Sequence, residues 1–280
     1  MKSYFKDSAL QQQFDREGFV IIDRALDEKQ ISELTTLFKS VEPPELNRMY
    51  CNIYDRSVEE NEKIDTILVN TFSERFDQIF HGCRMVNGVF LAKGNGPQTA
   101  SNMYQDWNSV DETHFESLAM WTPLEDVDAT NGCIYVIKGS HRIFNSVRSL
   151  TIPTLYLDFD AELEPYLTPV PMKAGQTLIY AHNLFHGSKP KYNGGVRAAI
   201  VIGVVPNDAR TIYYFRDGSI PDLVELFETN TDFYLNGISK YLSQKRPDDL
   251  PKIGELRGNK FSITREEFFE TLRKNKHSTN

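Results

Sequence analysis

Two short stretches of this 280-residue sequence carry side chains that could bind a metal ion and an organic acid. Downstream, His186 is followed by Ser188 and, eleven residues after the histidine, by Arg197. Upstream, Tyr104 stands two residues before Asp106. Imidazole and carboxylate groups are ligands of first-row metal ions, and a guanidinium binds a carboxylate through two parallel hydrogen bonds. Because open mononuclear iron sites take two imidazoles and one carboxylate, this set is one imidazole short of such a site.

The composition is typical of an ordinary folded protein and excludes several classes of partner. Hydrophobic residues make up 40% of the chain and charged residues 25%, which argues against wholesale disorder. The net charge is −8 and no Lys/Arg stripe is present, so nucleic acid and anionic membranes are poor partners. No stretch approaches the roughly 18 apolar residues of a membrane helix. The three cysteines are far apart and odd in number, which favours reduced thiols and a cytoplasmic location.

A helical scaffold is predicted over about residues 7–82. A first helix is expected from Ser8 to Glu17, followed by a short buried strand. Asp27 and Gln30 have the spacing of a capping box, which predicts the start of a second helix. Residues 60–80 repeat apolar side chains at helical spacing and predict a third helix.

From about residue 84 to 216 the pattern changes to short apolar runs separated by Gly, Pro and Asn, which indicates a β-sandwich or jelly roll. Helices are predicted again over about residues 220–275, where Thr264 and Glu267 form a capping box. We therefore expect residues 1–280 to form a single domain, mainly β with flanking helices. The strands are predicted at residues 84–92, 116–121, 133–137, 168–171, 177–181, 198–205 and 212–215.

The order of these motifs resembles the phytanoyl-CoA dioxygenase family of iron(II)/2-oxoglutarate oxygenases over roughly residues 14–220. The resemblance implies a double-stranded β-helix (a jelly roll, or cupin-like fold) whose mouth holds the metal. It also implies iron(II) as cofactor, 2-oxoglutarate as cosubstrate and a small molecule as substrate. The segments that carry the resemblance are Gln105-Asp106, Trp121 to Leu124, Asn131-Gly132, Gly139 to Arg142, and His186-x-Ser188-x8-Arg197.

The resemblance assigns roles to individual residues. It implies that Asp106 and His186 bind the iron. It implies that Arg197 pairs with the distal carboxylate of 2-oxoglutarate and that the Ser188 hydroxyl contacts the same carboxylate. The residues implied to border the cosubstrate are Gln105 and Trp121.

Tyr104 departs from the family pattern because it occupies the position of the proximal histidine ligand. A free phenol has a pKa of about 10, and a phenolate favours ferric iron, so the exchange should weaken a ferrous site. Three interpretations stay open. A second histidine supplies the missing nitrogen, either His182, four residues before His186, or His114, eight residues after Asp106. Alternatively, Tyr104 binds the metal or borders an altered metal site that is still catalytically active. In the third interpretation, the site no longer binds metal, and the protein is a pseudoenzyme or a metal-independent catalyst that uses the same pocket.

The leading hypothesis is a hydroxylase-like, iron(II)/2-oxoglutarate-dependent oxygenase of small-molecule metabolism. The alternative is a pseudo-oxygenase, or a metal-independent enzyme or binding protein, that holds a small acid through Arg197. No Ser-His-Asp set and no His-Glu-x-x-His motif favours another enzyme class. Lys93 is a weaker candidate for carboxylate contact, and His141 is expected to orient a loop. Substrate identity and oligomeric state are not readable from the sequence.

Overall fold

The computed structural model describes residues 3–43, 45–220, 222–237, 244–258 and 262–277. Within these residues, the helices are α1 (Ser8–Glu17), α2 (Glu28–Val41), α3 (Asn52–Asp55), α4 (Val58–Ile79) and α5 (Arg265–His277). The strands are β1 (Phe19–Ile22), β2 (Met49–Cys51), β3 (Cys83–Lys93), β4 (Ser101–Tyr104), β5 (Leu118–Pro123), β6 (Ile134–Val136), β7 (Thr168–Val170), β8 (Thr177–Ala181), β9 (His186–Ser188), β10 (Arg197–Pro206), β11 (Ile212–Phe215), β12 (Leu223–Glu228) and β13 (Lys252–Arg257).

Two antiparallel sheets form the centre of the molecule. The larger sheet has the order β1-β8-β5-β10-β3-β2, and the smaller has the order β4-β9-β6-β7. One buried apolar cluster contains side chains from both sheets, including Trp121 and Leu178 from the larger sheet and Met103 and Val136 from the smaller one. The sheets therefore pack face to face, and the predicted double-stranded β-helix is confirmed.

The strands of the larger sheet divide their side chains between two environments. On β10, Ala198, Ile200 and Ile202 pack with the helices on the outer face, whereas Ala199 faces the smaller sheet. Successive side chains of a strand point to opposite faces, so Arg197 shares the inner face with Ala199. Because helices bury the outer face, these strands are apolar on both sides, which explains their continuous apolar sequences.

Helix α1 has the predicted bounds, and α2 begins at the predicted cap. The Asp7 side chain caps α1, and Gly18 ends it with a left-handed backbone at φ 83°. A Cβ at this position would also lie 2.5 Å from Nδ1 of His141, so glycine is required by space as well as by conformation. The capping box of Asp27 and Gln30 is present at the start of α2. None of the helices in the described part of the chain has the length and apolar character needed to cross a membrane.

The C-terminal region differs from the expectation of helices over about residues 220–275. In the described part of this region, α5 is the one α-helix, and it begins after the predicted cap of Thr264 and Glu267. β12 instead pairs with both β11 and β13 in a third antiparallel sheet. Val224 and Phe227 of β12 are buried, so packing against neighbouring strands outweighs the weak helical pattern of this segment.

Candidate active site

Asp106 and His186 come together at the end of the smaller sheet. β4 and β9 are paired, and Asp106 lies two residues after the end of β4. Nε2 of His186 lies 3.7 Å from Oδ2 of Asp106. Nδ1 of His186 lies 3.0 Å from the carbonyl oxygen of Leu184, to which it can donate its proton. This hydrogen bond leaves the lone pair of Nε2 directed towards Asp106, as a metal ligand requires.

Tyr104 stands beside this pair. It is directly opposite His186 in the β4–β9 register, and the two ring centroids are 4.6 Å apart. Burial raises the pKa of the Tyr104 phenol well above its usual value, and the negative charge of Asp106 raises it further. The phenol is close enough to the Asp106 carboxylate for the two groups to interact. A protonated phenol therefore lies beside Asp106, at the position where the resemblance noted in the sequence implies an imidazole.

Tyr180 is a second tyrosine at this point, and the sequence analysis placed it only within a strand. Its ring centroid lies 4.5 Å from that of His186, and the phenol is close enough to Asp106 to interact with it. Burial is the main cause that raises the pKa of Tyr180 well above its usual value, followed by Asp106 and Tyr104. Strand alternation could have placed Tyr180 on the inner face of β8, because it lies two residues after the buried Leu178.

Neither alternative histidine joins the pair. Nδ1 of His182 lies 3.2 Å from the carbonyl oxygen of Trp107, and burial lowers the pKa of His182. His114 is exposed, and its Nδ1 lies 3.1 Å from Asp111. Among the described residues, no group of three His, Cys, Asp or Glu side chains could hold a metal ion. The structure therefore offers no support for a replacement histidine.

Arg197 is a buried guanidinium with free hydrogen-bonding capacity. The residue is 1% exposed, and its guanidinium carbon lies 5.1 Å from the centroid of the Trp121 ring. Nε and Nη1 are buried and have no hydrogen-bond partner. Burial lowers the pKa of Arg197 to about 10. Because unpaired buried donors of a charged group are costly, this site favours an anionic ligand that accepts two hydrogen bonds.

Lys93 forms a second buried cation next to Arg197. The two residues are directly opposite in the β3–β10 register. Burial, followed by the charge of Arg197, lowers the pKa of Lys93 to about 7. Nζ of Lys93 donates to Oγ of Ser188 at 2.6 Å and to the carbonyl oxygen of Lys189 at 2.7 Å. Since Oγ of Ser188 accepts from Lys93, its own hydroxyl proton stays available for a ligand.

The loop that carries Asp106 is held by two buried side chains. The Gln105 amide donates to the carbonyl oxygens of Phe144 and Asn183, at 2.8 and 2.5 Å. Nε of Arg148 donates to the carbonyl oxygen of Asp106 at 2.7 Å. Nη2 of Arg148 donates to both carboxylate oxygens of Glu112, at 2.6 and 2.8 Å. The amide nitrogen of Gln105 therefore holds the backbone in place and is not available to a ligand. No local sequence pattern indicated a role for Arg148.

A cavity of about 340 Å³ opens beside Asp106 and His182. Asp106 is the one carboxylate in its lining, and no Lys or Arg of the described chain lines it. Arg197 and Lys93 therefore belong to a separate, cationic part of the site. Besides Tyr104 and Tyr180, the aromatic side chains of the cavity wall are Tyr54, Trp107, Tyr156, Tyr213, Phe233 and Tyr234.

Comparison with known proteins identifies related folds. A sequence model of the family Phytanoyl-CoA dioxygenase (PhyH) matches residues 14–199. The epimerase SnoN, in complex with Fe3+, alpha ketoglutarate and nogalamycin RO, is 16% identical, with a TM-score of 0.55 over 91% of this chain and 96% of SnoN. HygX from Streptomyces hygroscopicus, with nickel and 2-oxoglutarate bound, is 14% identical, with a TM-score of 0.52 over 77% of this chain and 92% of HygX. Comparison with curated proteins found no match.

Proposed function

Because the chain belongs to the phytanoyl-CoA dioxygenase family, we propose that it is a non-haem iron, 2-oxoglutarate-dependent oxygenase in which Asp106 and His186 hold the metal. The observation that carries this proposal is the buried Arg197, whose Nε and Nη1 are unpaired on the inner face of the fold. A guanidinium in this state is matched by a carboxylate, which accepts two parallel hydrogen bonds. The alternative of a metal-free binding protein has no comparable support.

The cationic part of the site fits one end of 2-oxoglutarate. Arg197 would bind its distal carboxylate, the hydroxyl of Ser188 would donate to it, and Lys93 would add positive charge. Ser188 lies two residues after His186 on β9, so their side chains lie on the same side of the strand. Side chains with this spacing are about 7 Å apart, a distance that a five-carbon dicarboxylate can span. The proposed anchor and the proposed metal ligands are therefore spaced as the cosubstrate needs.

The proposed metal donors fit iron with one change of ligand. In this proposal the imidazole of His186 and the carboxylate of Asp106, 3.7 Å apart, bind the metal, and the phenol of Tyr104 takes the place of the second imidazole. Iron with 2-oxoglutarate would supply the oxidising chemistry when bound. The chain itself would anchor the cosubstrate through Arg197 and hold Asp106 in place through Gln105 and Arg148. The roles of all these residues are proposals that rest on their geometry.

The cavity supports a neutral, largely aromatic or alicyclic small molecule as substrate. HygX has been solved with hygromycin B and SnoN with nogalamycin RO, so these two proteins of the same fold bind small molecules. The aromatic wall favours flat or apolar surfaces, and its tyrosine hydroxyls would orient oxygen substituents. No Lys or Arg lines the cavity in the described residues, so a substrate with phosphate groups would have no counter-charge there.

The decisive experiment is an anaerobic titration of the metal-free protein with ferrous iron and 2-oxoglutarate, followed by visible absorption. A charge-transfer band that needs both components would support the proposal. Aerobic succinate release in the presence of candidate substrates would then test turnover, and Asp106→Ala should abolish it. Absence of the band at saturating iron and 2-oxoglutarate, with no 2-oxoglutarate binding by calorimetry, would contradict the proposal.

A further inference from the structure

One wall of the cavity beside Asp106 is the inner face of the larger sheet. The strands β3 and β10 pair there, with Val89 opposite Val201 and Asn87 opposite Gly203. All four of these residues line the cavity, so Asn87 is a polar side chain in an apolar row. The side-chain amide of Asn87 makes no hydrogen bond to another residue in the described part of the chain.

Gly203 fixes where this amide lies. A Cβ on Gly203 would be 2.6 Å from Oδ1 of Asn87, so the asparagine side chain occupies space that a larger residue at position 203 would fill. The register shifts after this pair, since the next residue of β10, Val204, is opposite Met85. Val86 is therefore the extra residue of a β-bulge, a feature that redirects side chains next to active sites. Because of the bulge, Val86 and Asn87 both line the cavity although they are neighbours in the strand.

The amide of Asn87 can recognise an oxygen substituent of a ligand. A side-chain amide has two N–H donors and one acceptor oxygen. A polar group that is removed from water costs free energy unless a partner satisfies it. When a substrate displaces water from the apolar wall, an oxygen atom at the position of Asn87 would supply that partner.

His182 is a second polar residue of the same cavity. Its Nδ1 lies 3.2 Å from the carbonyl oxygen of Trp107, which can only accept a hydrogen bond, so Nδ1 carries the proton of the neutral ring. Burial favours the neutral ring, because it lowers the pKa of His182. Nε2 then holds a lone pair, and it has no partner among the described residues. It can accept a hydrogen bond from a hydroxyl group of a substrate, but it cannot donate one.

The positions of Asn87 and His182 in the sheet set the length of a compound that contacts both. Asn87 is on β3 and His182 directly follows β8, and β10 and β5 lie between these two strands. Three strand spacings separate the two residues, which is about 14 Å across the sheet. A compound with a hydrogen bond of about 2.8 Å at each end would need oxygen atoms roughly 8 Å apart. Two fused six-membered rings with an oxygen atom at each end have this length.

We propose that Asn87 and His182 orient the substrate, and that the substrate is a flat, uncharged two-ring compound with a hydroxyl group at the His182 end and a second oxygen substituent at the Asn87 end. The proposal deepens the function proposed above and rests on it, because it names the substrate class of the same site. Trp107, whose carbonyl oxygen holds His182, directly follows Asp106. The ring that carries the hydroxyl group is therefore the one nearer to the proposed metal ligands.

The experiment measures the binding of two probes, naphthalene-2,6-diol and naphthalene, to the whole chain by equilibrium dialysis. The diol has an oxygen atom at each end, whereas naphthalene has the same rings and no hydrogen-bonding group. The ratio of the two affinities therefore separates the polar contacts from the packing of the rings. The variants are Asn87→Leu, His182→Phe and the double variant. Asn70→Leu is the matched control, since it removes an exposed amide from the surface of α4.

The ratio of the affinity for the diol to the affinity for naphthalene should fall about two- to tenfold in each single variant. In the double variant it should fall by the product of the two factors, and Asn70→Leu should keep the wild-type ratio. A ratio that is unchanged in Asn87→Leu or in His182→Phe would overturn the proposal. Failure of the wild type to bind either probe would overturn it as well.

Gly203→Ala gives a second test of Asn87, which decides the matter if Asn87→Leu does not fold. The added methyl group would lie too close to the amide oxygen of Asn87, so the side chain must turn away although it is still present. The affinity ratio should fall as in Asn87→Leu. An unchanged ratio in Gly203→Ala would contradict a role for the amide at this position.

The titration with ferrous iron and 2-oxoglutarate separates this proposal from the function on which it rests. If iron and 2-oxoglutarate bind but the affinity ratio does not respond to Asn87→Leu, the substrate class is wrong and the proposed function stands. If the ratios change as expected in a protein that binds neither iron nor 2-oxoglutarate, Asn87 and His182 are supported as the orienting residues and the proposed function is wrong.

Discussion

Tyr104 and His186 are directly opposite each other on β4 and β9, with ring centroids 4.6 Å apart. The register of these two strands decides which side chain neighbours the histidine, because paired residues of an antiparallel ladder share one face. An imidazole at position 104 would be held beside His186 and Asp106 by the same register. We therefore propose that tyrosine at position 104, in place of the histidine that the family resemblance implies, alters the donor set without altering the backbone that presents it.

We predict that Tyr104→His increases the affinity for ferrous iron. The new imidazole would complete two imidazoles and one carboxylate, the set that suits open ferrous sites. Loss of a residue that merely orients a ligand costs about 10–100-fold in metal affinity, so gain of a ligand should raise the affinity at least about tenfold. The measurement is an anaerobic ferrous titration in the presence of 2-oxoglutarate.

Tyr104→Phe is the control for this substitution, because it removes the phenol oxygen without supplying a nitrogen. It should bind ferrous iron no more tightly than the wild type. Equal affinity of the Tyr104→His and Tyr104→Phe variants would show that position 104 does not present its side chain to the metal.

Arg197→Met should remove 2-oxoglutarate binding while the fold is retained. Each hydrogen bond to a charged group contributes about 1.5–3 kcal/mol, so loss of both guanidinium hydrogen bonds should weaken binding by at least about 100-fold. The substitution also removes a buried cation with unpaired donors, and replacement of such a group by an apolar one is often neutral or stabilising. Thermal unfolding with and without 2-oxoglutarate measures both effects.

The exposed Arg142 offers a matched control, since Arg142→Met removes a guanidinium that is not in the buried site. This variant should keep the stabilisation by 2-oxoglutarate. A 2-oxoglutarate-induced rise in melting temperature that survives Arg197→Met would remove Arg197 from the proposed anchor.

The parts of the site that lie on one strand were predictable from the sequence, and those that depend on pairing between distant strands were not. His186 and Ser188 are two residues apart, so their shared face follows from strand geometry alone. By contrast, the contact of Lys93 with Ser188 joins residues 95 positions apart. Tyr180 reaches Asp106 from the other sheet, and no local pattern encodes that approach.

The same distinction applies to the fold. The alternation and capping signals of α1, α2 and β8 are local, and the structure agrees with them. β4 and β9 were not predicted as strands, because each has at most four residues and polar members that face the site. β12 was assigned to a helical region because its burial depends on partners in β11 and β13.

Lys93 should contribute an increase in the stability of the metal-free protein between about pH 7 and 10.5. The pKa of Lys93 is lowered from 10.5 to about 7, chiefly by burial and then by Arg197. In this window the unfolded chain holds a proton on Lys93 that the folded protein has released, so stability grows with pH. Below about pH 7, Lys93 is protonated in both the folded and the unfolded protein, so the full cost of its buried charge lowers stability. Lys93→Met should flatten the slope in a series of thermal unfolding curves.

Addition of 2-oxoglutarate should also flatten this slope, since an anion beside Lys93 favours its charged form. Lys29→Met is the control, because Lys29 lies on the surface of α2, where its Nζ is 3.8 Å from Glu33. It should keep the slope of the wild type. An identical slope in the Lys93→Met and Lys29→Met variants would show that Lys93 is not the group responsible.

Arg148→Met should destabilise the protein and weaken metal binding together. Removal of one partner of a buried ion pair costs about 3–5 kcal/mol, because Glu112 is left buried without its counter-charge. The carbonyl oxygen of Asp106 also loses the hydrogen bond from Nε of Arg148, so the Asp106 ligand should be held less firmly. Denaturant unfolding measures the first effect, and iron titration of the folded fraction measures the second.

The double variant Arg148→Met/Glu112→Leu separates the two effects. Because both charges are removed, it should recover at least half of the lost unfolding free energy. Iron affinity should stay low, since the hydrogen bond to the Asp106 carbonyl is still missing. Recovery of iron affinity along with stability would mean that Arg148 acts on the site only through the overall stability of the fold.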